Sequence, residues 1–199
     1  MKKVWSLILV VMLCLLAPLP LLAVEKSEEP KELGFWFEGR AVSNGSSSIV
    51  GWYELRLIGK LGFYVLGEVE NSGYRQMYAG PTLQLLPWLQ IGAGVGAEHV
   101  PDELTASNTT RTNVFVAVDT EKFYSFITFE NGGSGSWHRV HALYRVTGNV
   151  AIGAMDETDL GFGPRVEYNI KKNVTAWVAL LHDRNEQKSH MVFAINFSF

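Results

Sequence analysis

The segment HMVFAINFSF, His190 to Phe199, sets Met191, Phe193, Ile195, Phe197 and Phe199 at every second position, with His190, Val192, Ala194, Asn196 and Ser198 between them. A helix would scatter these side chains around its axis, whereas an extended strand places them on one face. Ends of soluble domains usually fray and are usually polar. An apolar, alternating segment there predicts a strand with one face in a greasy medium.

The same period runs through the chain. In DLGFGPRVEYNI, Leu160, Phe162, Pro164, Val166, Tyr168 and Ile170 oppose Asp159, Gly161, Gly163, Arg165, Glu167 and Asn169. In WLQIGAGVGAEHV, Leu89, Ile91, Ala93, Val95 and Ala97 oppose Gln90, Gly92, Gly94, Gly96 and Glu98. Read this way, strands are predicted near 33–42, 49–58, 61–70, 74–85, 88–99, 110–119, 122–131, 136–146, 149–156, 159–170, 173–183 and 188–199. Each has about ten residues, the length a tilted strand needs to cross a bilayer. The connections alternate between tight ones, such as Gly59-Lys60, Leu86-Pro87 and Lys171-Lys172, and looser polar ones, such as SNGSSS, NGGSGS and RNEQK. The expected fold is all-β, a closed antiparallel transmembrane β-barrel over 33–199 with about 12 strands, 10 or 8 being the alternatives. A soluble β-sandwich or lipocalin-like barrel also alternates, but it turns its apolar face inward and leaves a charged face outside.

The other end of the chain bears on the compartment. Lys2 and Lys3 precede an apolar run broken by Pro18 and Pro20, and the acidic stretch VEKSEEPKE follows. This reads as a signal peptide over 1–23, cleaved near Ala23, with an acidic segment over 24–32; a retained transmembrane helix is the alternative. Cys14 lies inside the apolar run, so a chain cleaved there has no thiol for a disulfide, a cysteine metal site or a nucleophile. The whole chain has 17 Lys and Arg against 20 Asp and Glu, and losing Lys2 and Lys3 leaves 15 basic residues. No basic footprint points to nucleic acid.

The alternating Met191, Phe193, Ile195, Phe197 and Phe199 resemble the last strand of bacterial outer-membrane β-barrel proteins. The resemblance covers that strand. It implies the outer membrane of a Gram-negative cell, both barrel termini periplasmic, and an insertion signal at Phe193, Phe197 and Phe199 that the barrel-insertion machinery reads. Its implied partners are outer-membrane lipid and that machinery. In scale alone, twelve short strands are similar to small monomeric porins such as the oligogalacturonate-specific channels.

Function then falls to the polar face. Its candidate pore-lining residues are Glu38, Arg40, Glu54, Arg56, Glu68, Glu98, Arg139, Arg145, Arg165 and Glu167, with Glu70 and His141 in the same parity. Opposite charges on neighbouring strands are expected to pair across the hairpin, Glu38 and Arg40 with Arg56 and Glu54. Such a lining serves a small passive porin-like channel with weak charge selectivity for small polar solutes, or braces the wall of a structural or surface-recognition barrel without an open pore. Inward Gly80, Gly92, Gly94 and Gly96 either widen the lumen or receive large neighbours such as Tyr78 and Trp88. A rim hydrolase would draw on His99, Asp102 and Glu103, or on His182, Asp183, Ser189 and His190. Adjacent residues on a strand point to opposite faces, so neither His182-Asp183 nor Ser189-His190 can share a proton. A two-histidine metal site would need His182 and His190 to face one another. No catalytic residue, metal or cofactor is assigned.

Overall fold

In the computed structural model, which describes residues 34–101 and 107–199, twelve antiparallel strands close into a barrel. They are β1 (Gly34–Val42), β2 (Ser47–Ile58), β3 (Leu61–Glu70), β4 (Arg75–Leu86), β5 (Leu89–Val100), β6 (Ser107–Asp119), β7 (Phe123–Gly132), β8 (Gly135–Arg145), β9 (Val150–Glu157), β10 (Gly161–Lys171), β11 (Val174–Asp183) and β12 (Lys188–Ser198). Residues 1–33, which hold the expected signal peptide and acidic segment, and Asp102 and Glu103 lie outside the described residues.

Each strand pairs with its neighbours in sequence, and β12 returns to β1 with Phe37 opposite Phe197 and Arg40 opposite Ala194. That last pairing removes the sheet edge. It is the condition for strands to cross a bilayer, because every backbone N–H and C=O then has a partner within the sheet.

The outer surface carries the apolar set. Ile49, Met77, Val95, Leu180 and Met191 are more than half exposed on the outward face of their strands. Toward the end of the barrel that carries Gly34 and Phe199, here the proximal end, the outward side chains are Phe35, Phe63, Tyr144, Tyr168 and Phe199. Phe37 stacks on Phe197 with ring centroids 4.7 Å apart. Toward the distal end the outward face turns polar: His99 Nδ1 meets Asn108 Oδ1 at 2.9 Å, His138 Nε2 meets Asp156 Oδ2 at 3.2 Å, and His182 Nδ1 meets Ser189 Oγ at 3.1 Å. An apolar band flanked by an aromatic girdle and a polar rim matches the layers of a bilayer.

The register corrects one expectation. A two-residue loop at Lys171-Lys172 would pair Tyr168 with Thr175 and Val166 with Trp177. Instead Tyr168 pairs with Ala176, Val166 with Val178 and Phe162 with His182, after a shift between Asn169 and Lys171. The reason is parity. A two-residue loop pairs positions i and i+3, so even numbers meet odd ones. Yet β10 and β11 both turn their even-numbered residues to lipid, and a one-residue irregularity is needed to bring like faces together. The same shift occurs between Arg56 and Ile58 and between Gln84 and Leu86, beside the other tight proximal turns of odd-outward strands. Across the Thr147–Asn149 turn no shift is needed, and Tyr144 meets Ile152.

Candidate functional site: the barrel interior

The inward positions form an aromatic layer and two charged networks, one of which crosses the lumen. The aromatic layer is built from β2, β3, β6 and β7. Trp52 stacks on Tyr64 at 4.6 Å, and Phe115 meets them edge-on at 5.0 and 5.2 Å. Phe126 lies 5.6 Å from Phe115 and 6.3 Å from Trp52. β7 is five places from β2 around the wall, by way of β3, β4, β5 and β6, so these rings meet from nearly opposite sides. Tyr64 and Phe115 are 0% and 3% exposed.

Glycine makes this meeting possible. A Cβ on Gly92 would stand 2.2 Å from the Phe115 ring, and one on Gly94 would stand 2.2 Å from the Tyr64 hydroxyl. The missing side chains do not widen the lumen; they seat two rings from other strands. The expected receivers Trp88 and Tyr78 are replaced by Phe115 and Tyr64, with Trp88 in the β4–β5 turn.

The first charged network occupies one side of the distal half. Arg111 on β6 donates from Nη1 to Glu98 at 2.9 Å and from Nε to Tyr78 Oη at 2.7 Å, and its Nε lies 3.3 Å from Glu130. Tyr78 Oη in turn donates to Glu130 at 2.7 Å. Glu98 also accepts from the backbone N–H of Ser134 and from Thr109, at 2.8 and 2.7 Å.

The second network spans the barrel. Arg139 on β8 reaches Glu157 on β9 at 3.1 Å and Glu38 on β1 at 3.3 Å. Arg40 on β1 reaches Glu157 at 2.6 Å. Trp177 Nε1 donates to Glu38 at 2.9 Å, and the Arg165 guanidinium lies 3.9 Å over the Trp177 ring while bonding Glu167 at 2.5 Å. By way of β12, β11, β10 and β9, β1 is five places from β8. The ion pairs are therefore transverse struts.

The expected pairing across the β1–β2 hairpin does not occur. Glu38 stands opposite Val50 and Arg40 opposite Ser48, while Glu54 falls opposite Gly34. Glu54 accepts instead from Thr82 at 2.8 Å and Gln90 at 2.5 Å, and Arg56 lies exposed at the proximal mouth. Glu68 accepts from Gln76 at 2.8 Å. Arg145 sits at the proximal end, paired with Asp119 at 2.8 Å and stacked over Tyr124 at 4.8 Å. His141 packs against Phe126, ring centroids 6.0 Å apart.

Sequence parity missed Arg111, Glu130 and Glu157. Arg111 and Asn113 alternate with Thr112 and Val114, a signal present in the chain. Glu157 lies one residue beyond the expected end of its strand. The interior of β9 to β12 is also more apolar than expected, with Met155, Trp177, Leu181, Val192 and Ala194 all buried in one cluster. His182 and His190 do not face one another: His182 points outward against Ser189, and His190 is buried opposite Leu181. Asp183 is likewise buried, on the face opposite His182, as parity required.

No family model matches the sequence, and no curated protein is similar to it at a significant level. Solved structures share the fold. The chain superposes on the KdgM porin with a TM-score of 0.53 at 12% identity, covering 83% of this chain and 99% of that one. For the NanC porin the TM-score is 0.52 at 11% identity, over 83% and 98%. For outer membrane phospholipase A from Escherichia coli it is 0.52 at 9% identity, over 87% and 94%. At these identities the likeness is one of architecture, and the chain has the architecture of the small outer-membrane barrels.

Proposed function

We propose that the protein is an outer-membrane barrel, directed there by the signal peptide 1–23, whose lumen is braced shut at rest. Its termini are then periplasmic and the polar distal rim faces outward. Phe193, Phe197 and Phe199 are the segment offered to the insertion machinery. The observation that carries the closed lumen is the contact of side chains from nearly opposite walls: Trp52 with Phe126, and Arg139 with Glu38. Eight strands leave an interior that side chains fill, and sixteen leave a channel. Twelve lies between, so the side chains decide, and here they meet. The charges act as bracing, and the pore-lining role of Glu38, Arg40, Glu54, Glu68, Glu98, Arg139, Arg165 and Glu167 applies once these contacts part. A passive channel for small polar solutes is the second reading, favoured by the strand number and by a cavity at the distal end. Refolded protein in planar bilayers separates the two. A membrane in which protease protection shows inserted protein should carry no steady current at low voltage. A stable current through the wild-type barrel would overturn the braced reading in favour of the channel.

A further inference from the structure

At the distal end, the β1–β2 and β9–β10 turns and strand β8 enclose a cavity of about 240 Å³. Arg40 and Glu157 line it together with Trp137, Glu70, Ser48 and Asp159. Arg40 has one satisfied and one unsatisfied side. Its side chain is only 7% exposed, its Nη2 holds Glu157, and its buried Nε has no hydrogen-bond partner. A buried N–H left without an acceptor is unfavourable, so Arg40 is incompletely satisfied where it lines the cavity. Trp137 supplies a ring with an apolar body and an N–H, and its position is fixed by the Arg139 guanidinium 5.3 Å from the ring centre. Asp159 adopts φ 66°, a left-handed conformation in which glycine would serve the turn at less steric cost. The chain keeps a carboxylate there.

These groups define the ligand by size and charge. The cavity lies below the roughly 300–1,000 Å³ typical of pockets for drug-sized molecules, so it takes one ring and not a chain of them. Glu70, Glu157 and Asp159 outnumber the single cavity guanidinium, and a further anion would meet a negative field. Carboxylates and Ser48 accept or exchange hydrogen bonds with hydroxyl groups, while the indole packs on C–H faces. The geometry points to a binding site for one neutral pyranose-sized sugar, held at the outer mouth above the Arg40–Glu157 strut. This goes beyond the braced-barrel reading, since binding is measured without any current.

The test is calorimetric titration of refolded protein in a zwitterionic detergent that has no sugar headgroup. Glucose, galactose and mannose and their methyl glycosides are compared with glucuronate and galacturonate. At least one neutral hexose should bind saturably, at least tenfold more tightly than its uronate. Trp137→Leu should weaken that binding tenfold or more, and Trp137→Phe should retain most of it. Asp159→Asn, a turn substitution outside the strand wall, should narrow the gap between hexose and uronate. Heat-modifiable migration on gels confirms that each variant is folded. The same hexoses immobilised through C1 assign the source: binding of both forms marks a soluble sugar, and binding of the immobilised form alone marks the terminal unit of a surface glycan. The proposal is overturned if no neutral hexose binds saturably in either the free or the immobilised form, if uronates bind as tightly, or if a folded Trp137→Leu variant keeps its affinity.

Discussion

Gly92 and Gly94 show how single positions decide what the lumen contains. On the sequence they read as places where the wall is bare, and parity alone leaves open whether that space stays empty. The answer lies on β3 and β6, whose Tyr64 and Phe115 occupy it. Gly92→Ala would place a methyl group 2.2 Å from the Phe115 ring, which has to tilt into Trp52. Overpacking a filled interior costs about 1–3 kcal/mol. Urea unfolding in detergent should show that loss for Gly92→Ala, whereas Gly39→Ala, whose added Cβ meets nothing within 4 Å, should leave the midpoint unchanged. Equal behaviour of the two variants would mean that the rings do not press on the β5 wall.

At the scale of the strand, most of the fold was legible. Period-two alternation marks a strand whatever its partner, and the apolar faces of β5, β10 and β12 turn outward as read, whereas in β11 Trp177 and Leu181 turn inward. Pairing needed more. β10 and β11 keep the same parity toward lipid, so the tight turn between them had to hide an extra residue, and nothing in Ile170-Lys171-Lys172-Asn173 announces it. VTAWVALLHD is apolar on both faces, which concealed the buried cluster around Trp177. The cross-lumen partners were illegible for a deeper reason: parity says that Glu38 points inward, but strand tilt and stagger decide which far strand it meets. The β1–β12 seam, by contrast, follows from alternation, and its energetics are open to measurement. Phe37 and Phe197 stack at 4.7 Å on the lipid face. A double-mutant cycle with Phe37→Leu and Phe197→Leu should yield a coupling of about 0.5–1.5 kcal/mol, as aromatic pairs do beyond their area. Strict additivity of the two substitutions would place the seam's stability in its backbone ladder alone.

For the molecule as a whole, the question is what the transverse contacts contribute. Arg139 holds Glu38 and Glu157 together, and removing it leaves two carboxylates in a poorly hydrated interior. Breaking a buried pair in this way costs about 3–5 kcal/mol, far more than the pair's net contribution relative to an apolar replacement. Arg139→Ala should therefore lower barrel stability by about that amount in denaturant titration. Arg145→Ala, which removes a half-exposed pair at the proximal mouth, should cost about 1 kcal/mol or less. The ratio between these losses tests whether the charged belt is structural.

Opening the lumen asks a separate question, because the inward carboxylates Glu38, Glu54, Glu68, Glu98, Glu130, Glu157 and Glu167 outnumber the inward guanidiniums Arg40, Arg111, Arg139 and Arg165. The near balance expected from sequence does not hold on this wall. Trp52→Ala combined with Phe115→Ala removes the aromatic layer while leaving every charge in place. Any current such a variant carries has to pass the acidic excess, and rings of carboxylates favour cations. With a tenfold salt gradient across a planar bilayer, the reversal potential should fall on the cation-selective side. Glu98→Gln should move it toward zero, since it removes one inward negative charge while keeping one acceptor oxygen for Thr109 and the Ser134 N–H. A reversal potential on the anion-selective side would show that Arg40 and Arg139 swing free of their partners when the rings are removed, and that the transverse pairs depend on the aromatic layer beneath them.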